Sequence, residues 1–246
     1  CSNCRLIFNN PLPIPESLQD HYGIPTEDYW YPEYFQVHPT EFKSMVSRFK
    51  NLVPFQIGQK VLDIGAGIGK CMVACNAAGY DTYGIEPSVP FYQKGITEMN
   101  LSDDRLLNLS IEEASFPENH FDIITFGAVL EHLYDPKAAL EKVIKWLKPG
   151  GIIHIEVPSS NWLVAKIVNL FFWLRGTNYV TNTSPMHNPF HLYEFTEKSF
   201  KNIPGVEIAH IEYFGGYGFS KWEKLFHPFM KWTKTGMQLT VYLRKK

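Results

Sequence analysis

Between residues 60 and 158 short apolar runs mostly alternate with stretches of helical spacing, and this pattern restricts the fold more than any other feature. "KVLDIG" reads as a buried strand, and "KCMVACNAAG" as a helix that stops at Gly79. "DTYGIEPS" is a second strand, followed by a helix from Phe91 to Met99. "RLLNLS" and "FDIITFGAVL" are two more strands, the latter running into a loop. "DPKAALEKVIKWLKPGG" is a helix with Asp135 as N-cap, Pro136 in its first turn and "KPGG" as its stop, and "GIIHIEVP" is the fifth strand. Strands and helices mostly in turn predict a parallel, doubly wound α/β sheet.

The flanks read differently. Residues 1–40 are rich in Pro and Tyr, with a loop at "NNPLPIPESL" and an aromatic cluster in "HYGIPTEDYWYPEYF". From Thr40 to Leu52 the spacing of Phe42, Met45, Val46 and Phe49 is helical. Beyond Pro158 the alternation breaks into an apolar helix, "NWLVAKIVNLFFWLRG", and a long loop, "TNYVTNTSPMHNPFHLYEFT". A short capped helix "TEKSFKNI", a strand "VEIAHIEYF", an aromatic helix within residues 219–234 and a closing strand "MQLTVYLRK" follow. The expected organisation is an N-terminal extension, 1–40, and one catalytic-type domain, 41–246, with cap insertions near 159–195 and 214–235.

Composition narrows the class. The 246 residues are 45% hydrophobic, enough for one substantial core. A net charge of −2 gives no electrostatic steering toward nucleic acid, so RNA and DNA are not expected partners. No apolar run is long enough to span a bilayer and no secretory leader is visible, which makes cytoplasmic the expected location.

The stretch "VLDIGAGIGK" carries the chemistry. A dinucleotide site wants G-x-G-x-x-G, with backbone N–H groups facing a pyrophosphate. Here Gly65, Gly67 and Gly69 give G-x-G-x-G, Lys70 stands where a last glycine belongs, and Asp63 precedes the turn by two residues. A carboxylate there repels a pyrophosphate and attracts an ammonium group. Glu86 follows Gly65 at the offset of an acid that accepts from ribose hydroxyls. A ribose, an amine and no diphosphate describe S-adenosylmethionine. Taken singly, the glycine turn could be a tight connection and the acid a solvated strand end.

With "VLDIGAGIGK", "GIEPS", "FPENHFDIITFGAVLEHLYDP" and "LKPGG" in order, residues 55 to 212 resemble a class I S-adenosylmethionine-dependent methyltransferase of the type 11/12/23 small-molecule group. The resemblance implies a Rossmann-like seven-stranded sheet of order 3-2-1-4-5-7-6, strand 7 antiparallel. It implies S-adenosyl-L-methionine as cofactor and S-adenosyl-L-homocysteine as product. Gly65, Ala66 and Gly67 would lie under the methionine part, with Asp63 near its amino group. Glu86 would hold the ribose, and Pro87 would pack near the adenine. Ser110, standing where relatives often carry an acid, would face the adenine with Ile111 and Glu112. Phe126 and Gly127 would line the amino-acid end.

Methyl transfer from a sulfonium is mostly a matter of positioning, with a base needed only when the acceptor must lose a proton. His191, then His132, are the candidate bases, with His187 also on the acceptor side. Tyr22 and Tyr29 are candidates to close over the sulfonium. No metal is expected at the site. The acceptor is expected to be a small molecule methylated at oxygen or carbon, with sugar, lipid-linked and quinone-like compounds in view. The aromatic helices read as a cap over it or as a surface for a membrane or a lipid-like substrate. Rival readings are a non-catalytic module that binds the same cofactor and a dinucleotide-dependent oxidoreductase. Cys1 and Cys4 match the second half of a zinc ribbon that relatives carry, read here as a truncated remnant.

Overall fold

The computed structural model describes residues 1–13, 16–17, 19, 22–29, 35–38, 40–181, 190–215 and 221–246. Seven strands form one sheet: β1 (Lys60–Ile64), β2 (Asp81–Ile85), β3 (Leu106–Leu107), β4 (Phe121–Gly127), β5 (Leu147–Pro158), β6 (Val206–Phe214) and β7 (Gln238–Lys245). Their order is β3-β2-β1-β4-β5-β7-β6. The first five run parallel, and β7 is antiparallel to both β5 and β6. This is the order the resemblance implies.

Six helices flank the sheet: α1 (Lys43–Leu52), α2 (Lys70–Ala77), α3 (Val89–Glu98), α4 (Pro136–Trp146), α5 (Leu163–Leu174) and α6 (Lys221–Trp232). Both faces are apolar because parallel strands sit between helix layers. Ile124, Phe126, Ile153 and Ile155 join Leu140 and Val143 of α4 in the larger core. On the other face Phe49 of α1 and Cys71 and Cys75 of α2 pack with Val61, Ile123 and Tyr242. The two α2 cysteines are thus buried core residues.

Local signals set the helix starts. Ser88 accepts from the Phe91 N–H at 3.5 Å, and Asp135 accepts from the Ala138 N–H at 2.9 Å. Two expectations need correcting. "KPGG" does not end α4 as a coil: the helix stops at Trp146, and β5 begins at Leu147, paired with Phe121 across an irregular register. "RLLNLS" yields only the two-residue β3, which pairs with β2 alone.

A short antiparallel ladder joins Ile7–Phe8 to Tyr193–Glu194, so the N-terminal stretch rests on the loop that follows α5. Helix α5 has no buried residue, and Leu170, Phe171, Trp173 and Leu174 are exposed. Among the described residues no helix is long and apolar enough to cross a membrane.

Candidate active site

The turn between β1 and α2 is a chain of left-handed residues. Gly65, Gly67 and Gly69 have φ of +64°, +58° and +83°, a region that L side chains rarely enter. The turn is held from behind by an acid. Glu86 at the end of β2 accepts from the Gly67 N–H at 2.7 Å and from the Ser88 N–H at 2.8 Å. Burial nonetheless pushes its carboxyl up to about 7, against the pull of those two donors. Asp63 is buried too, and its carboxyl is likewise raised to about 7, chiefly by desolvation and also by the nearby Glu86 charge, against a hydrogen bond from Cys71.

A cavity of about 370 Å³ opens between α1 and the sheet. Asp63, Gly65, Ala66, Gly67 and Gly127 form one wall, and Glu41, Phe42 and Met45 another. Lys70 also lines it, with its Nζ 2.6 Å from Glu41 Oε1. Both signs of charge therefore border one space, as an amino-acid zwitterion requires. Gly127 leaves room there: a Cβ added at it would meet nothing within 4 Å. Deeper in, Thr125 Oγ1 and His154 Nδ1 are 2.8 Å apart, and His154 Nε2 lies 3.5 Å from Glu156 Oε1.

The adenine-side loop is anchored independently. Lys142 Nζ donates to the carbonyls of Ile111 and Glu112 at 2.9 and 2.8 Å. The Ser110 hydroxyl accepts from the Glu113 N–H, while the Glu113 carboxylate accepts from the Ser110 N–H. This reciprocal cap braces the turn with the serine that was expected to read the adenine. Asn108 Nδ2 donates to the carbonyls of Glu86 and Pro87.

The sequence-expected residues thus divide. Asp63, Gly65, Ala66, Gly67 and Gly127 share the cavity wall. Glu86 does not line the cavity and supports the loop instead. Phe126 is corrected: strand alternation turns its fully buried ring into the core, so only its backbone is available to a ligand. His187 lies outside the described residues, as do the side chains of Tyr29 and Trp222. Lys70 and Glu41 were missed as a pair, being 29 positions apart in sequence.

A second cluster follows β4. The 3₁₀ turn Leu130–His132 brings Glu131 and His132 together, and Leu192 donates its N–H to the Glu131 carbonyl at 2.8 Å. That bond seats His191 against them: its Nε2 is 3.9 Å from Glu131 Oε1, and the two imidazole centroids are 4.9 Å apart. His132 Nδ1 lies 3.0 Å from the Phe190 carbonyl, and Tyr22 Oη is 3.5 Å from the His132 carbonyl. Because a carbonyl can only accept, His132 donates to it through Nδ1–H. Burial pushes the Glu131 carboxyl up to about 8 and His191 down to about 4. Both are therefore neutral at pH 7.

The comparisons with known proteins agree with this layout. A family model described as "Methyltransferase domain" matches residues 39–216. The chain is 31% identical over 111 residues to the ubiquinone biosynthesis O-methyltransferase of Bradyrhizobium diazoefficiens, covering 43% of this chain and 42% of that protein. It is 31% identical over 113 residues to the phosphoethanolamine N-methyltransferase of Triticum aestivum, covering 44% of this chain and 22% of that one. The match spans less than half the length of these curated relatives. Among solved structures, a SAM-dependent methyltransferase from Methanosarcina mazei superimposes with a TM-score of 0.57 at 17% identity, covering 82% of this chain and 96% of that chain. Another from Mesorhizobium loti gives 0.55 at 16% identity, covering 81% and 96%. At those identities the likeness is one of fold, but the family match covers most of the chain. The residues around the β1–α2 turn fit the expected cofactor, with an acid at the ammonium end, an acid behind the loop and no side chain at Gly127. The chain belongs to the S-adenosylmethionine-dependent methyltransferases.

Proposed function

We propose that this chain methylates an oxygen or carbon of a small-molecule acceptor. The observation that carries the reading is the Gly67 N–H. In a dinucleotide enzyme that donor faces a pyrophosphate; here it is given to Glu86 at 2.7 Å. Asp63 lies on the cavity wall and Glu86 behind the loop, so the turn offers a diphosphate a nearby acid and a donor already taken. Asp63 and the Lys70–Glu41 pair suit the amino and carboxylate ends of an amino acid.

S-Adenosylmethionine, when bound, supplies an electrophilic sulfonium methyl. The chain orients the acceptor and takes its proton. Glu131, His132 and His191 support that second task, being clustered just past the Gly127 end of β4. The Nδ1–H of His132 is fixed on the Phe190 carbonyl, which orients the ring as a general base acting on a hydroxyl or an activated carbon requires. Burial makes His191 the weaker base, reversing the order expected from sequence. The relatives named for a quinone precursor and for phosphoethanolamine show two acceptor types served by similar chains; the exposed apolar side chains of α5 and α6 support a greasy acceptor here. The ladder at Ile7–Phe8 supports reading residues 1–40 as an extension folded against the acceptor loop.

Calorimetry tests the cofactor. S-Adenosylhomocysteine is expected to bind one to one, and NAD not to bind at all. Heat from NAD with none from S-adenosylhomocysteine would overturn the reading. Transfer of labelled methyl to quinol, sugar and lipid-linked panels then identifies the acceptor.

A further inference from the structure

Two imidazoles and a carboxylate that converge are a donor set for a divalent metal, and the sequence led us to expect none. Glu131, His132 and His191 each offer one ligand atom, all within 4.8 Å of one another. We propose that these three side chains hold a divalent transition metal ion, with zinc the ion their chemistry fits. Two nitrogens and one oxygen are the ligand types that zinc accepts. Three protein ligands leave the fourth position open, as in zinc sites that handle substrate rather than only brace the fold.

The surroundings are those of a metal site. His132 is oriented by its Nδ1–H on the Phe190 carbonyl, the second contact by which a ligating histidine is usually held. Glu131 is buried, and its Oε2 has no hydrogen-bond partner among the described residues. A buried carboxylate oxygen without a donor is costly, and a cation relieves that cost. His191 is carried to the cluster by the backbone bond between Leu192 and Glu131, with Asn9 Nδ2 donating to the His191 carbonyl at 3.1 Å. Two segments far apart in sequence thus present their ligands from braced backbone.

The inference rests on and deepens the acceptor-side reading, because an ion here would ease loss of the acceptor's proton by stabilising the oxygen that gives it up, with His132 a ligand in place of a base. It can fail while methyl transfer stands, since cofactor binding is measured separately.

The test must keep Cys1 and Cys4 out of the answer, because thiolates bind zinc. The full chain with Cys1→Ser and Cys4→Ser is stripped with chelator, given excess zinc, passed through gel filtration and assayed for metal. One equivalent is expected to remain. Cobalt in place of zinc should give the visible absorption of a four- or five-coordinate site with no thiolate charge-transfer band. Glu131→Gln and His191→Asn, checked for folding by S-adenosylhomocysteine binding, should each lower retention at least tenfold. His132→Gln is the third variant, used where either of those fails to fold. No retained metal and no cobalt spectrum in the folded chain carrying Cys1→Ser and Cys4→Ser would overturn the proposal. So would retention that the folded variants leave unchanged.

Discussion

Gly65 and Gly67 share a left-handed backbone but not a neighbourhood, and the difference predicts different costs. A Cβ on Gly65 would lie 2.6 Å from Val129 Cγ2, whereas one on Gly67 would meet only Phe91 Cδ1, at 3.8 Å. Gly67→Ala should therefore cost about 1–2 kcal/mol, the penalty of the backbone conformation itself. Gly65→Ala adds a clash with a β-branched side chain and should cost about 2–4 kcal/mol. Urea unfolding of the two variants ranks them; equal costs would mean that Val129 moves aside freely. Glu86→Gln probes function at the same turn. Each carboxylate oxygen accepts one backbone N–H, and an amide NH₂ can only donate, so either Gly67 or Ser88 loses its acceptor and stability should fall by about 1–3 kcal/mol. The amide also cannot match a carboxylate toward ribose hydroxyls. Losing a charge-assisted hydrogen bond of about 1.5–3 kcal/mol predicts roughly 10- to 150-fold weaker S-adenosylhomocysteine binding by calorimetry. Unchanged affinity would remove Glu86 from the site.

Helix α1 decides the shape of the cavity. Phe49 is fully buried on its inner face, edge-on to His154 at 5.6 Å, and Arg48 pairs with Glu212 across to β6. Arg244 Nη2 on β7 donates to the Leu52 carbonyl at 2.8 Å, pinning the helix end to the sheet. Phe49→Ala should cost about 3–5 kcal/mol, because the helix is tied at both ends and cannot collapse onto the space left. Thermal unfolding checks it, and a loss under 1 kcal/mol would mean that α1 floats. The α1 helix was readable from the spacing of Phe42, Met45, Val46 and Phe49, and β1, β4 and β5 from their apolar runs. Strand β3 was readable in place but not in length, since only Leu106 and Leu107 of "RLLNLS" pair, and with β2 alone. "KPGG" misled because Pro149 and the left-handed Gly150 (φ +76°) resemble a helix stop, while the chain pairs with β4 at Leu147 and again from Ile152, where β7 joins, so the stretch between lies within the strand. The β1–α2 turn was legible since its chemistry is local. The Glu131–His191 contact was not: nothing in the sequence says that residues 60 apart meet, or that Glu131 is buried. Phe126 shows the reverse error, a residue next to the site whose period-2 position turns it away.

For the molecule as a whole, the raised carboxyls couple stability, pH and cofactor. Asp63 and Glu86 have folded-state values near 7, against about 4 when unfolded. An acid with a raised folded value holds its proton more tightly when folded, so the folded state binds more protons between pH 4 and 7. Stability therefore falls as pH rises through that window and levels off above it. Glu131, raised to about 8, acts in the same direction. His191, lowered to about 4, acts oppositely, but most of its effect is spent as the unfolded imidazole loses its proton around pH 6.5. Between pH 6.5 and 8 the carboxyls dominate. Asp63, Glu86 and Glu131 together should then lower the stability of metal-free, ligand-free protein by about 3 kcal/mol, or the melting temperature by about 6–12 °C. If Asp63 meets the ammonium group and Glu86 the ribose, S-adenosylhomocysteine favours both carboxylates. Its binding below pH 7 should release protons, and the rise in melting temperature that it gives at saturation should grow from pH 6 to 8. Calorimetry in two buffers of different ionisation heat counts those protons directly. Proton uptake on binding, or a stabilisation that shrinks with pH, would show that the two acids enter the complex protonated and do not hold the cofactor as anions.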